Sequence, residues 1–444
     1  MKEISKKYGF ITATAMIVGI CIGSGIFFKS DNILIATGCS ILWGIVLFVV
    51  SAISIVFGCL TFGELASQTD QVGGLLSYSE EFLGSKAGCG YGWFQILVYY
   101  PSITAVVSWV IGIYTCILFG LPGTLGLQLL IGFAFLCICF TYNVLVPKFG
   151  AGVQNATTAI KLIPLLILAI CGLIFGDPAA GFAAVDPRTV AGASILTALG
   201  PIAYSFDGWI VATSISHEVY DSRRNMPRAL LFGPLIVLTM YVLYFVGVSC
   251  YVGPMEVIRL GDEHVSVAAE RLLGAWFSKA IVAFVVVSVV GTVNGLVTGF
   301  IRMPYSIAVR EGMFPMRKTL SKLDKHGMPA VSALMGFLLC TLWLCIHGLV
   351  TIKGWLPNSD VSEGAIVMRY LLYIPLYWRV FRLWKEGRVT SRFRGMVCPF
   401  LAIIGSFIIL SGGLQNPMFI AFFLFCGAVV LAGILYYQAH HKKA

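Results

Sequence analysis

The sequence predicts an all-α integral membrane protein with twelve transmembrane helices, and three observations carry that reading: 58% of its 444 residues are hydrophobic, only 11% are charged, and apolar runs follow one another almost end to end. A bilayer core takes about 20 apolar residues per helical crossing. No soluble domain needs that much apolar surface, and little chain is left over to form one.

In chain order the expected crossings are Phe10 to Phe28, Ile41 to Phe62, Tyr91 to Leu118, Leu127 to Val146, Val153 to Phe175 and Ile195 to Ile215 in the first half. Ala229 to Val252, Phe277 to Ile307, Val331 to Val350, Ile366 to Phe381, Met396 to Ser411 and Phe419 to Tyr437 complete the series. The first run lacks a small-residue cleavage site and another apolar run follows at once, so it is expected to stay in the protein rather than leave as a signal peptide.

Net charge is +10, and its distribution carries the information, because Lys and Arg in short loops mark the cytoplasmic side. Lys2, Lys6 and Lys7 precede the first crossing; Arg223, Arg224 and Arg228 follow the sixth; Arg310, Arg317, Lys318, Lys322 and Lys325 follow the eighth. Arg379, Arg382, Lys385, Arg388, Arg392 and Arg394 follow the tenth, and Lys442 and Lys443 close the chain. All fall on one side of the membrane, so both termini are expected in the cytoplasm of a cell (plasma) membrane protein, and the basicity calls for no nucleic acid. The thirteen cysteines lie mostly within apolar runs and show no CxxC pair, which reads as small buried residues and neither a zinc site nor a disulfide frame.

The first crossing contains Gly19-Ile20-Cys21-Ile22-Gly23-Ser24-Gly25-Ile26-Phe27 at its middle, where each glycine weakens a helix by about 1 kcal/mol relative to alanine. Glycines spaced by four also let membrane helices pack closely, so this segment alone leaves two readings open. The sixth crossing shifts the balance toward broken helices. It carries Gly200-Pro201 and then Tyr204-Ser205-Phe206-Asp207-Gly208-Trp209, again polar and flexible at mid-membrane depth. Irregular backbone is tolerated there only where it is buried in protein or lines a cavity, and two interruptions five crossings apart suggest corresponding helices of an inverted repeat. Such breaks suit a zwitterion. Free N–H groups at Gly23, Ser24 and Gly25 would hold a carboxylate, and the carbonyls of Cys21, Tyr204 and Asp207 would face an ammonium.

Two basic residues also lie at membrane depth. Lys161 sits near the middle of the fifth crossing, where it either serves the transport cycle or snorkels or ties helices together. Arg369 lies in the tenth and stays charged, so it needs a partner. Asp360 or Glu363 at the helix mouth is the expected one, and contact with a polar or acidic substrate side chain is the alternative. Asp207 is expected to hold the sixth-crossing break rather than to read the substrate. His217 beside Glu218 has too few ligands for a metal. Nucleophile motifs, phosphate loops and paired catalytic carboxylates find no convincing context, so an enzyme is not expected, nor any cofactor.

These residues resemble the amino acid-polyamine-organocation superfamily, and within it the L-type amino acid transporters and their bacterial relatives. The resemblance covers almost the whole chain. It rests on Ile22-Gly23-Ser24-Gly25-Ile26-Phe27; on Phe62-Gly63-Glu64-Leu65 with Gly73-Gly74 and Tyr78; on Asp207-Gly208-Trp209 with Glu218 and Arg224-Asn225-Met226-Pro227-Arg228-Ala229; and on Asn294-Gly295 with Arg302-Met303-Pro304-Tyr305 and Arg310-Glu311-Gly312-Met313-Phe314-Pro315. It implies the LeuT-like fold, with two inverted five-helix repeats (residues 1–176 and 190–385), helices 11 and 12 in residues 392–444, and alternating access around broken helices 1 and 6. It places the substrate carboxylate at Gly23, Ser24 and Gly25 and an aromatic gate at Tyr204, where many relatives have phenylalanine. It also places a cytoplasmic gate at Glu64, Glu218 and Arg224, with an intracellular loop at Gly73, Gly74 and Tyr78. Lys161 resembles a lysine of sodium-independent members whose ammonium occupies the space of a sodium ion.

The function expected is sodium-independent transport of amino acids, neutral L-amino acids first, by a permease or exchanger that needs the lipid bilayer and no obligatory protein subunit. A proton-coupled or antiport carrier of polyamines or of cationic or acidic amino acids is the second reading. A membrane-embedded sensor or channel is a third.

Overall fold

With no water in a bilayer core to satisfy backbone N–H and C=O groups, the apolar runs of this chain close their hydrogen bonds within themselves and form helices. The structure is a computed structural model that describes residues 9–23, 25–69, 74–183, 194–210, 219–324, 327–415 and 417–441. Two half-length helices come first, α1 (Phe10–Cys21) and α2 (Gly25–Ala36). After them come α3 (Ile41–Ser67), α4 (Gly74–Leu83), α5 (Ser85–Phe119), α6 (Leu125–Leu145), α7 (Pro147–Ile160) and α8 (Leu162–Phe175). The second half holds α9 (Leu199–Ser205), α10 (Arg224–Val252), α11 (His264–Leu273), α12 (Ala275–Ala308), α13 (Ala330–Lys353), α14 (Val361–Lys385), α15 (Phe393–Gly413) and α16 (Met418–His440).

Among the described residues eight helices are long and apolar enough to cross a membrane: α3, α5, α6, α10, α12, α13, α15 and α16. The protein is therefore an all-α, multi-spanning membrane protein. Each remaining apolar run departs from a plain crossing for a local reason. The first is split after Cys21; the fifth is split at Lys161, because Pro164 has no N–H to return to the Ile160 carbonyl. The sixth ends its helix at Ser205. The tenth is long enough, but α14 carries Glu363, Arg369, Arg379, Arg382 and Lys385.

Two helix ends differ from the sequence expectation for one shared reason. The first crossing is expected to stop at Phe28, before Lys29-Ser30-Asp31-Asn32, yet α2 runs on to Ala36; the tenth is expected from Ile366, yet α14 begins at Val361. Lys29 and Glu363, which read as polar stops, are neutralised against each other across the two helices.

The bundle has an inside and an outside. In the most apolar stretch of α5, 72% of the residues are buried by protein, against 17% in α16, so α5 belongs to the centre and α16 to the lipid-facing rim. Hydrocarbon is as apolar as leucine, so helices hold together here by close fit and buried hydrogen bonds. Gly172 of α8 meets the backbone of Gly247 in α10, where a Cβ would come 2.5 Å from the Gly247 carbonyl carbon. Asn294 of α12 ties in α6 and α7: its Oδ1 accepts from Tyr142 (2.8 Å) and Asn143 (2.9 Å), and its Nδ2 donates to the Gly150 carbonyl (3.0 Å) and Gln154 (3.1 Å). Around this frame α3 packs along α10, α5 along α12, α6 along α13, and α2 along α9.

Candidate functional site

The first break begins where Ile22, in extended conformation (ψ 104°), caps α1 by donating to the Val18 carbonyl, and it ends where α2 starts at Gly25. Ser24, expected to bind a carboxylate, lies outside the described residues. Its two flanking glycines are there for space. A Cβ on Gly23 would come 2.7 Å from the Thr292 hydroxyl of α12, and one on Gly25 would come 2.6 Å from the Cα of Ser205. The two breaks therefore touch backbone to backbone.

The second break follows α9, which ends at Ser205. Phe206, Asp207 and Gly208 then turn the chain, with Gly208 at φ +102°, a conformation open to glycine at little cost. Tyr241 of α10 spans the two breaks: its hydroxyl oxygen is 2.9 Å from the Cys21 carbonyl and 2.7 Å from the Ser205 carbonyl. One hydroxyl has one proton, so it serves one carbonyl at a time. The carbonyls expected to await an ammonium are thus partly engaged, since the Tyr204 carbonyl also accepts from the Asp207 N–H at 3.1 Å. Tyr204 itself is buried, with its ring 6.4 Å from that of Phe28.

Asp207, expected to hold the break, is engaged by partners that local sequence does not reveal. Tyr99 donates to its Oδ2, and Arg369 approaches its Oδ1 at 3.2 Å. Arg369 therefore does not reach toward Asp360 or Glu363, as its place in the tenth crossing suggests. Its guanidinium lies over the Tyr99 ring, 3.9 Å from the centroid, in cation–π contact. Tyr99 is presented by a π-helical turn, Gln95–Tyr99. Pro101 has no N–H, so the Leu97 carbonyl loses its helical partner, and the Trp343 indole takes it at 2.8 Å.

Asp360 and Glu363 instead hold Lys29. Its ammonium is 2.6 Å from a carboxylate oxygen of each, and all three side chains are buried. Asp360 also caps α14, accepting from the Ser362 N–H at 2.8 Å, and Ser359 donates to Glu363 at 2.7 Å. The Lys29 ammonium lies 5.1 Å from the Tyr204 ring centroid, so this ionic cluster borders the aromatic cover of the breaks. Sequence reasoning missed it. The available signal was a lysine in the second turn of α2 and two carboxylates three apart at the start of an apolar run.

Lys161, at the joint of α7 and α8, is buried and donates to the Gly19 carbonyl in α1. A Cβ on Gly291 of α12 would run into the side chain of Thr157, one turn before Lys161, so α1, α7, α8 and α12 converge here. On the side of the basic loops, Glu64 pairs with Arg394 at 2.7 Å, while Arg224 is exposed and does not join that pair. Glu218, His217 and Gly73 lie outside the described residues. Tyr78 packs against Phe62, with ring centroids 6.0 Å apart, and Arg310 reaches Glu80 at 2.6 Å, joining the end of α12 to α4. All thirteen cysteines are free, and among the described residues no group of three or more His, Cys, Asp or Glu side chains could hold a metal ion.

The amino acid permease family matches residues 8–437. The serine/threonine exchanger SteT of Bacillus subtilis (strain 168) is 31% identical over 99% of this chain and 98% of its own length. The human b(0,+)-type amino acid transporter 1 is 26% identical over 99% of this chain and 89% of its own. The human large neutral amino acids transporter small subunit 2 is 27% identical over 87% of this chain and 78% of its own.

Proposed function

Because the chain belongs to the amino acid permease family, within the amino acid-polyamine-organocation superfamily, we propose that it is a sodium-independent permease or exchanger of neutral L-amino acids working by alternating access. It is a secondary amino acid transporter and not an enzyme, as the family and the relatives are. The observation that carries the finer reading is the meeting of two helix breaks, Gly25 against Ser205, with the Tyr241 hydroxyl between the carbonyls of Cys21 and Ser205.

The chemistry follows from the helix ends. The first turn of α2 has N–H groups without intrahelical partners and a positive dipole end, which suit an α-carboxylate at Gly23, Ser24 and Gly25. The carbonyl ends of α1 and α9, at Cys21 and Tyr204, suit the ammonium. Tyr204 covers the pair as an aromatic gate. Glu64, Glu218 and Arg224 belong to the opposite, cytoplasmic gate, in which Arg394 takes part as the partner of Glu64.

Twelve helices in two inverted five-helix repeats, residues 1–176 and 190–385, with two further helices in 392–444, are supported by the packing. Four of the five pairs of crossings that would correspond across such repeats lie side by side, the first with the sixth (α2 with α9), the second with the seventh (α3 with α10), the third with the eighth (α5 with α12) and the fourth with the ninth (α6 with α13). The clustering of basic loops on one side supports cytoplasmic termini in a plasma membrane protein. The Lys161 ammonium on the Gly19 carbonyl supplies, from within the chain, a cation beside the first break, and this supports independence from sodium.

The test is uptake of radiolabelled L-amino acids into proteoliposomes with and without internal amino acid, a sodium gradient or a pH gradient. Uptake of neutral amino acids that needs internal substrate and ignores sodium is the expected result; uptake that needs sodium would refute the coupling. Lys161→Ala is expected to slow uptake at least about tenfold without creating a sodium requirement, as loss of one buried charge contact near the break would. Kinetics equal to those of the unaltered protein would reduce the lysine to packing.

A further inference from the structure

Asp207 and Arg369 are opposite charges buried beside the substrate break, and neither is satisfied by its own helix. Asp207 lies two residues beyond Ser205, the residue that meets Gly25, and it is 9% exposed. One of its oxygens accepts from Tyr99, and the other faces Arg369 at 3.2 Å. Arg369 is 2% exposed and lies over the Tyr99 ring at 3.9 Å, with Tyr373 further off at 5.7 Å. Its Nε–H is buried without an acceptor among the described residues, so the pair does not use all of its own hydrogen-bonding capacity.

We infer that Arg369 and Asp207 form an internal counter-ion pair that sets charge selectivity at the substrate side-chain subsite, each occupying the charge that the other would offer to a substrate. The inference rests on the transport reading above. With both residues in place the subsite is neutral overall. A lysine-like side chain would have to displace Arg369 or lie beside it as a like charge, and a glutamate-like side chain meets the same obstacle at Asp207. Removing one member leaves the other as a buried, uncompensated charge whose natural partner is an oppositely charged substrate. The two single substitutions therefore shift selectivity in opposite directions, an outcome that general loosening of the site would not produce.

The experiment is competition by serine, leucine, lysine and glutamate against uptake of a radiolabelled neutral amino acid in proteoliposomes. It compares the unaltered protein, Arg369→Leu, Asp207→Asn and the double substitution. In the unaltered protein lysine and glutamate are expected to compete at least about tenfold more weakly than the best neutral amino acid, as expected where a charge must enter an already paired site. Arg369→Leu improves lysine about tenfold and not glutamate; Asp207→Asn improves glutamate and not lysine; the double substitution improves neither. Single variants with the unaltered charge ranking would overturn the inference. So would an unaltered protein for which lysine or glutamate competes as well as neutral amino acids, a result that needs no variant to fold. Failure of the unaltered protein to take up any amino acid would overturn the transport reading and this inference together.

Discussion

Gly25→Leu is expected to abolish transport while leaving a protein that inserts in the membrane. The Cβ alone would come 2.6 Å from the Ser205 Cα and 3.0 Å from its Oγ, and the nearest of these is backbone that cannot rotate away. Overpacking a tight contact costs about 1 to 3 kcal/mol, which a bundle of this size tolerates, so the damage concentrates on the site. The branched side chain forces α2 away from α9, displaces the carbonyls that Tyr241 spans, and fills the space beside the free N–H groups of α2. Initial uptake rates should fall at least about a hundredfold, since a misplacement of about 1 Å is enough to remove a preorganised contact set. Monodisperse elution in detergent serves as the control for folding. A well-folded variant with full uptake would mean that substrate does not pass between these breaks.

Lys29→Met should destabilise the protein severely. It leaves the carboxylates of Asp360 and Glu363 buried, close together and without the ammonium now 2.6 Å from each. Deleting one partner of a buried ionic cluster typically costs about 3 to 5 kcal/mol. The effect has a diagnostic reversal. Replacing the whole cluster, with Asp360→Asn and Glu363→Gln added to Lys29→Met, should recover much of the loss, because no uncompensated charge remains and asparagine can still cap α14. Thermal unfolding in detergent reads both steps. A triple variant less stable than Lys29→Met would show that the cluster acts through its specific hydrogen bonds and not through charge balance.

Local sequence carried most of the architecture. The apolar runs mark where the long helices lie, since run length depends on no other part of the chain. The position of the first break is legible too, in three glycines and a serine at mid-run. Its cause is not. Gly23 is small because of Thr292 and Gly25 because of Ser205, residues far along the chain that come close only once α12 and α9 have packed.

Charge pairing shows the same divide more sharply. Glu363 is six residues before Arg369 and looks like its partner, but positions six apart on a helix do not share a face. Glu363 turns toward Lys29, 334 positions away in the chain, and Arg369 turns toward Asp207, 162 positions away. The tyrosines that complete the site, Tyr99 and Tyr241, stand out in no motif. Tyr99 is aimed by a π-turn that follows from Pro101 and is stabilised by Trp343 from α13.

The sequence by itself determined that this protein lies in a membrane as a series of apolar helices, that the first and sixth apolar runs are interrupted and to which family it belongs, because hydropathy, glycine propensity and motif are properties of neighbouring residues. Only the tertiary structure decided which charges neutralise which and what closes over the breaks. In a medium of low dielectric a buried charge must pair with whatever opposite charge packing brings within reach, and no local periodicity encodes that partner.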